Sequence, residues 1–327
     1  MSFGPMTVKY PQPKNCTHYF FAFNIPYAIP INDGIYKIVI GDLVADLSIQ
    51  RIQKKNIGEW IVGGNLPFQM SIDKYGLFSF SYIEIKIPIE FELFEKGRRL
   101  TFFKDVPSRI KDKEIILQFL NRFIEVVKMI TEEYWIEPIR YQDILSYTVS
   151  YWDGRERYPA GYVALEQGVG DIKVILPSQN VNKDEISIIS DILENEDEVD
   201  LSKLFYLNAK DAFLQEDYRL AIVEAITSFE IILYKFIKKY HVEIRVKHIE
   251  KYIRNKGLRK KFERILYFLK LKNNSIDDKT IKNIMKAIEH RNQILHEGYR
   301  KISPDECEIE LFSLDKIIQI MKTILIE

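Results

Sequence analysis

The sequence predicts an α+β chain: a β-rich N-terminal domain followed by an all-α helical bundle. Three observations carry this. Ile83, Ile85, Ile87, Ile89, Phe91 and Leu93 alternate with Glu84, Lys86, Glu90 and Glu92, the period of a strand with one buried face. Ile115, Ile116, Phe119, Leu120, Phe123, Ile124, Val127 and Ile130 then recur at helical spacing. From Leu201 onward strand signals almost vanish.

Taken in order, residues 34–49 read as two strands with Gly41-Asp42 as their turn. Asn32-Asp33-Gly34 and Asp73-Lys74-Tyr75-Gly76 carry turn chemistry. Pro88 removes a ladder donor, which predicts an edge position or a bulge. The expected arrangement is a twisted antiparallel sheet or small sandwich. A helix is expected over 112–134, with Asp112 as its start and Glu137-Pro138 closing the pattern. Residues 138–176 are mixed. Gly154, Pro159, Gly161, Gly168 and Gly170 mark loops there, and 172–176 reads as a short strand.

A helix over 184–193 precedes the acidic run 194–200, the expected linker. Six helices are expected beyond it, at about 201–214, 217–240, 245–255, 258–271, 278–297 and 304–326. Asp217 can cap the second, and Gly257 separates two basic helices. Gly298 suits a C-terminal cap. Ser303-Pro304-Asp305-Glu306 is a start signal, with Pro in the first turn and acids near the positive end of the dipole. The domains so drawn are 1–105 (β-rich), 106–200 (mixed) and 201–327 (helical).

With 327 residues, 46% hydrophobic and 29% charged, the chain has apolar content for a core and is unlike a disordered segment. No stretch approaches ~18 uncharged apolar residues, so no membrane span is expected. Residues 1–23 lack a basic segment followed by an apolar one, so no signal peptide is expected. Cys16 and Cys307 are too few for a disulfide framework or a zinc site. The expected compartment is the cytoplasm.

The balanced total of 47 basic and 47 acidic residues hides an asymmetry. Residues 1–200 carry 22 Lys+Arg and 29 Asp+Glu, and 201–327 carry 25 and 18. Between Arg245 and Lys272 lie eleven basic residues and only Glu250 and Glu263. Lys247, Lys251, Arg254, Arg259, Lys260, Lys261 and Arg264 are the candidates there for a nucleic-acid backbone. A solvated basic helix face is the plainer reading of the same run.

Several chemistries lack their residues. Gly168-Val169-Gly170 is not a phosphate loop, no Cys/His set has metal-ligand spacing, and Ser146 and Ser150 have no triad partners in order. Asp73, Glu84 and Lys86 resemble loosely the carboxylate and Lys set of metal-dependent nucleases, and are equally what a solvent-facing strand shows. Tyr147, Tyr151, Trp152 and Tyr158 cluster around Asp153-Gly154-Arg155 and read as a satellite core under a long loop, or as a stacking surface for bases. No metal or cofactor is expected.

The informative segment is Glu289-His290-Arg291-Asn292-Gln293-Ile294-Leu295-His296-Glu297-Gly298. Arg291 and His296 lie about 140° apart around a helix and about 7.5 Å along it. A long Arg side chain can still reach an anion near the His, and a second copy of the helix could close the site. Asn292 shares a face with His296 and could set its tautomer. His296 lies in the last turn, where the negative helix end favours imidazolium, and a His is suited to proton transfer. His290 is expected to face solvent. Glu224 and Glu230 lie on a helix apolar on most sides, so a partner is needed, and Arg291 is a candidate. That contact could be a structural ion pair or part of an active site.

Arg291-Asn292-x-x-x-His296 resembles the motif of HEPN domains: an Arg, a polar residue beside it and a His a few residues on, on a late helix of an all-α domain. Residues 209–236, centred on the stretch from Asp217 to Glu230, resemble the early helix pair of the same family. The resemblance spans roughly 201–327. It implies a HEPN-like bundle, metal-independent RNA cleavage at a dimer interface, His296 as general acid or base, Arg291 holding the phosphate, and Asn292 orienting either. It also implies RNA and a second copy as partners, with an antitoxin or regulatory partner, in a toxin or anti-phage defence setting. Other members bind RNA or proteins without cutting, and that remains the alternative.

Overall fold

A computed structural model describes residues 17–25, 27–54, 71–72, 78–88, 106–140, 146–164, 181–273, 276–297 and 301–326. The chain is α+β and divides into two compact units, Met1–Val199 and Asp200–Glu327. The boundary falls within the expected acidic linker. The separate middle segment does not stand alone, because its strands join the sheet of the first unit.

Among the described residues the N-terminal unit is an antiparallel sheet packed against helices. Its strands are β1 (His18–Ile25), β2 (Gly34–Ile40), β3 (Leu43–Lys54), β4 (Ser71–Ile72), β5 (Phe78–Pro88), β6 (Ser146–Trp152) and β7 (Arg157–Ala164). The order is β2-β3-β5-β1-β6-β7, with β4 beside the start of β5. Its helices are α1 (Val106–Thr131) and α2 (Lys183–Glu194). Phe21, Phe23, Ile38, Leu47, Ile83 and Ile85 from the strands meet Phe119, Phe123, Ile124 and Val127 of α1 in a single core. The Tyr36 and Phe123 rings lie 5.1 Å apart in that layer.

The expected alternation holds: Ile83, Ile85 and Ile87 are buried, while Glu84 and Lys86 are not. Ile89, Phe91 and Leu93, the turn at 73–76, the strand at 172–176, Gly168, Gly170, Cys16 and Gly298 lie outside the described residues. The β2–β3 hairpin turns at Gly41-Asp42 with Ile40 opposite Leu43, and Gly41 takes a φ of +56°, which glycine adopts without a steric penalty.

Three expectations change. Pro88 is not at an edge, since β5 runs between β3 and β1; the Pro closes the ladder opposite His18, where a missing donor is harmless. Residues 146–164 form a hairpin rather than a long loop. Pro159 is tolerated there because β7 is an edge strand and a bulge between Val149 and Ser150 shifts the register. The aromatic cluster sits on that hairpin, with Tyr147 and Tyr151 buried and Asp153 Oδ1 accepting from the Arg155 and Glu156 amides in its turn. Finally, α1 begins before Asp112 and ends at Thr131, where Glu132 turns left-handed at φ +56°.

The C-terminal unit is entirely helical among the described residues. It contains α3 (Leu201–Leu214), α4 (Tyr218–Lys239), α5 (Ile249–Asn255), α6 (Leu258–Lys272), α7 (Asp278–Glu297) and α8 (Pro304–Ile326). Asp217 caps α4 by accepting from the Leu220 amide at 3.0 Å. Ser303 and Glu306 exchange hydrogen bonds at the start of α8, a capping box. The short α5 starts later than expected because Arg245 and His248 are left-handed. Helix α4 is apolar around most of its girth: Ile222, Ile226, Phe229, Leu233 and Phe236 are fully buried. It touches every other helix of the unit, as such a pattern requires.

Candidate functional site

The Arg291–His296 segment forms the last two turns of α7. Side-chain packing divides its residues into an exposed set and a buried set. Asn292 and His296 are exposed, and Arg291 is half-buried. Ile284, Ala287 and Ile294 form the buried stripe of the same helix.

Arg291 reaches α4. Its Nη2 lies 3.9 Å from Glu230 Oε2, and its Nη1 donates to Asn292 Oδ1 at 3.3 Å. Arg291 is therefore a partner of the kind that the position of Glu230 on an apolar helix requires. Among the described residues no hydrogen bond joins Asn292 to His296, so Asn292 serves the Arg rather than the His ring.

Glu230 belongs to a larger cluster. Tyr234, one turn further on α4, donates its hydroxyl to Glu230 Oε1. Lys261 of α6 donates to the Tyr234 hydroxyl at 2.7 Å and sits 4.3 Å from the centre of its ring. Burial and the bond to Glu230 push the Tyr234 phenol well above its ordinary range. Burial pulls the Lys261 ammonium down, opposed by the Glu230 charge. Lys261 stands among the residues expected to track RNA. The structure corrects this: it is 3% exposed and faces the interior.

The remaining basic candidates lie outside. Lys247, Lys251, Arg254, Arg259, Lys260 and Arg264 are all exposed on α5, α6 and the turn before them. Arg259 pairs with Glu263 at 3.0 Å, and Arg264 donates to the Arg245 carbonyl at 3.0 Å. Lys247, Lys251, Arg254 and Lys260 make no ion pair among the described residues.

His290 is the second correction. It does not face solvent but is fully buried, with Nδ1 2.9 Å from Glu310 Oε1 on α8. Lys286 continues the line, 2.8 Å from Glu306 and 3.8 Å from Glu310. Lys261, His290 and Glu310 share one sequence signature. Each interrupts an apolar stripe at helical spacing: Leu258, Lys261, Ile265; Ala287, His290, Ile294; Cys307, Glu310, Leu314. A polar residue in such a stripe is buried with a partner, and that signal could have found all three.

Comparison with known protein families, characterised proteins and solved structures finds no match.

On the sheet, Glu84 pairs with Arg157 at 2.7 Å and Lys86 with Asp46 at 3.1 Å. Asp73 lies outside the described residues. Lys86 is thus engaged by an opposite charge on the neighbouring β3, and Glu84 by one on β7, across β1 and β6. Among the described residues no three metal-ligating side chains converge. No described helix is long and apolar enough to cross a membrane.

Proposed function

We propose that the C-terminal unit is a metal-independent RNA endonuclease of the HEPN type. The observation that carries the reading is the placement of Arg291 and His296 on the last turns of α7, with the His open to solvent and the Arg half-buried beside Glu230. His296 takes the proton of an RNA 2′-hydroxyl or returns one to the leaving 5′-oxygen. The 2′-oxygen forms a bond to its own adjacent phosphorus as the bond to the 5′-oxygen breaks. The products are a 2′,3′-cyclic phosphate and a 5′-hydroxyl, and the nucleophile needs no metal. Arg291 binds the phosphate and offsets charge that builds in the transition state. Asn292 holds the Arg.

One His296 serves one proton transfer at a time. A homodimer through this unit, with α7 facing its copy, supplies one His as base and the other as acid. Lys247, Lys251, Arg254, Arg259, Lys260 and Arg264 would follow the RNA backbone. The N-terminal unit would sense a trigger or hold a regulatory partner, such as an antitoxin in a toxin or defence system. That setting rests on the family resemblance, and a cytoplasmic location on the two cysteines.

The ion pair between Arg291 and Glu230 favours a second reading, in which the Arg is structural and the unit binds RNA or protein without cutting. Cleavage of RNA by the purified chain in EDTA, beside His296→Ala and Arg291→Ala, separates the two. Cutting that survives EDTA and is lost in both variants supports the nuclease. RNA binding without cutting supports the binding module. Cutting that EDTA stops and His296 does not affect overturns both.

A further inference from the structure

We infer that Lys261 and Tyr234 are positioning residues for Arg291, acting through Glu230. The inference rests on the reading of Arg291 as the phosphate-binding group. Lys261 Nζ donates to the Tyr234 hydroxyl at 2.7 Å. That hydroxyl donates to Glu230 Oε1. Lys261 Nζ is itself 4.0 Å from the same oxygen. One carboxylate oxygen is thus engaged from the interior side, and the other, Oε2, faces Arg291 Nη2 at 3.9 Å.

Two physical consequences follow. A carboxylate with one oxygen fixed has its plane fixed, so the second oxygen has one direction to offer. The Arg291 guanidinium is drawn by charge toward that oxygen, 3.9 Å away, so its position depends on Tyr234. Charge is the second consequence. Lys261 and Arg291 are two cations facing one carboxylate, so Glu230 cannot neutralise both. Lys261 takes part of that charge and leaves Arg291 cationic toward an incoming phosphate. Without Lys261, Glu230 would pair with Arg291 alone and compete with the phosphate.

Exposure makes the relay separable from direct contact. The Lys261 side chain is 4% exposed and Glu230's is 25%. Lys261 therefore cannot touch RNA, and any effect it has on RNA must travel through the cluster.

The test reads Arg291 first, in the full-length chain. Its Nε is buried, so its Nε–H signal is protected from solvent in a ¹⁵N side-chain NMR spectrum, where Arg291→Lys assigns it by loss. Tyr234→Phe and Lys261→Met are expected to shift or broaden that signal. Tyr234→Phe keeps the ring and its packing, which guards against loss of fold as the cause. An unmoved signal in both variants overturns the inference, whether or not the chain cuts RNA. Cleavage comes second. Each variant is expected to lose about 10- to 100-fold in kcat/KM, the scale of misplacing a binding group by about an ångström. RNA affinity is expected to fall with each variant too, and that loss of affinity should vanish in an Arg291→Ala background, as it does only for residues that act through the Arg. A loss that persists there overturns the inference. A wild-type chain that does not cut in EDTA, with the Arg291 signal still moved by both variants, removes the nuclease reading and leaves the positioning intact.

Discussion

His290 Nδ1 lies 2.9 Å from Glu310 Oε1, with both side chains 1% exposed. The pair ties α7 to α8 at the residue preceding Arg291. Removing one member strands the other in a low-dielectric interior. Glu310→Ala is expected to destabilise the chain by about 3–5 kcal/mol in urea unfolding. The double variant His290→Leu, Glu310→Met should recover most of that, since two apolar groups leave nothing unpaired. Additive effects of the two single changes would contradict this.

Loss of an acid or base differs in size from loss of a tether. His296→Ala is expected to lower RNA cleavage about 10²- to 10⁴-fold. Asn292→Ala removes only the hydrogen bond to Arg291, so about tenfold or less is expected. Equal losses in the two variants would place Asn292 on the reacting atoms instead.

Salt dependence reports the exposed basic residues. Plotted as log affinity against log salt, RNA binding should fall linearly. Replacing Lys251, Arg254 and Lys260 together by Ala should flatten the slope by about 2, at about 0.7 for each phosphate no longer neutralised. A slope unchanged by these three substitutions would mean that RNA lies elsewhere.

Acid sensitivity is expected at the start of α8. Lys286 and the Ser303 amide hold the Glu306 carboxyl down to about 2 from an ordinary 4.5. The charged form is favoured on folding, so its stabilisation is full above pH 4.5 and fades as pH falls toward 2. Glu306→Gln should lose stability at pH 7 and lose less on acidification than the natural chain does. Thermal unfolding at pH 7 and pH 3 reads both; parallel losses would show that Glu306 is uninvolved.

The β2–β3 turn depends on one backbone conformation. Gly41 is left-handed with open space around it, so a Cβ there meets strain rather than a clash. Gly41→Ala is expected to cost about 1 kcal/mol in the N-terminal unit, and Gly41→Asn less. Equal stability of the Ala variant in urea unfolding would mean that the turn relaxes.

The local grammar of the chain was legible without any structure. The caps at Asp217 and Ser303, the Gly41-Asp42 turn, the alternation through Ile83, Ile85 and Ile87, and nearly all helix limits beyond Leu201 depend on neighbours within a few residues. Near-neighbour chemistry is written in order along the sequence, so periodicity and capping residues suffice to read it.

Tertiary structure decided what faces what. Pro159 reads as a loop residue in the sequence, and in the fold it lies on the edge strand β7 with a bulge beside it. Lys261 looked like one more cation in a basic run, and His290 like a solvent-facing neighbour of the motif. Both are buried because the stripe each belongs to meets another helix, and each found its partner on that helix: Tyr234 and Glu230 for the Lys, Glu310 for the His. The sequence by itself determined the α+β order, the helices and the Arg291–His296 spacing on one of them. Only the folded chain decided that Glu230 stands opposite Arg291, because residues 61 positions apart in sequence meet through packing of α4 against α7, and packing depends on every side chain between them.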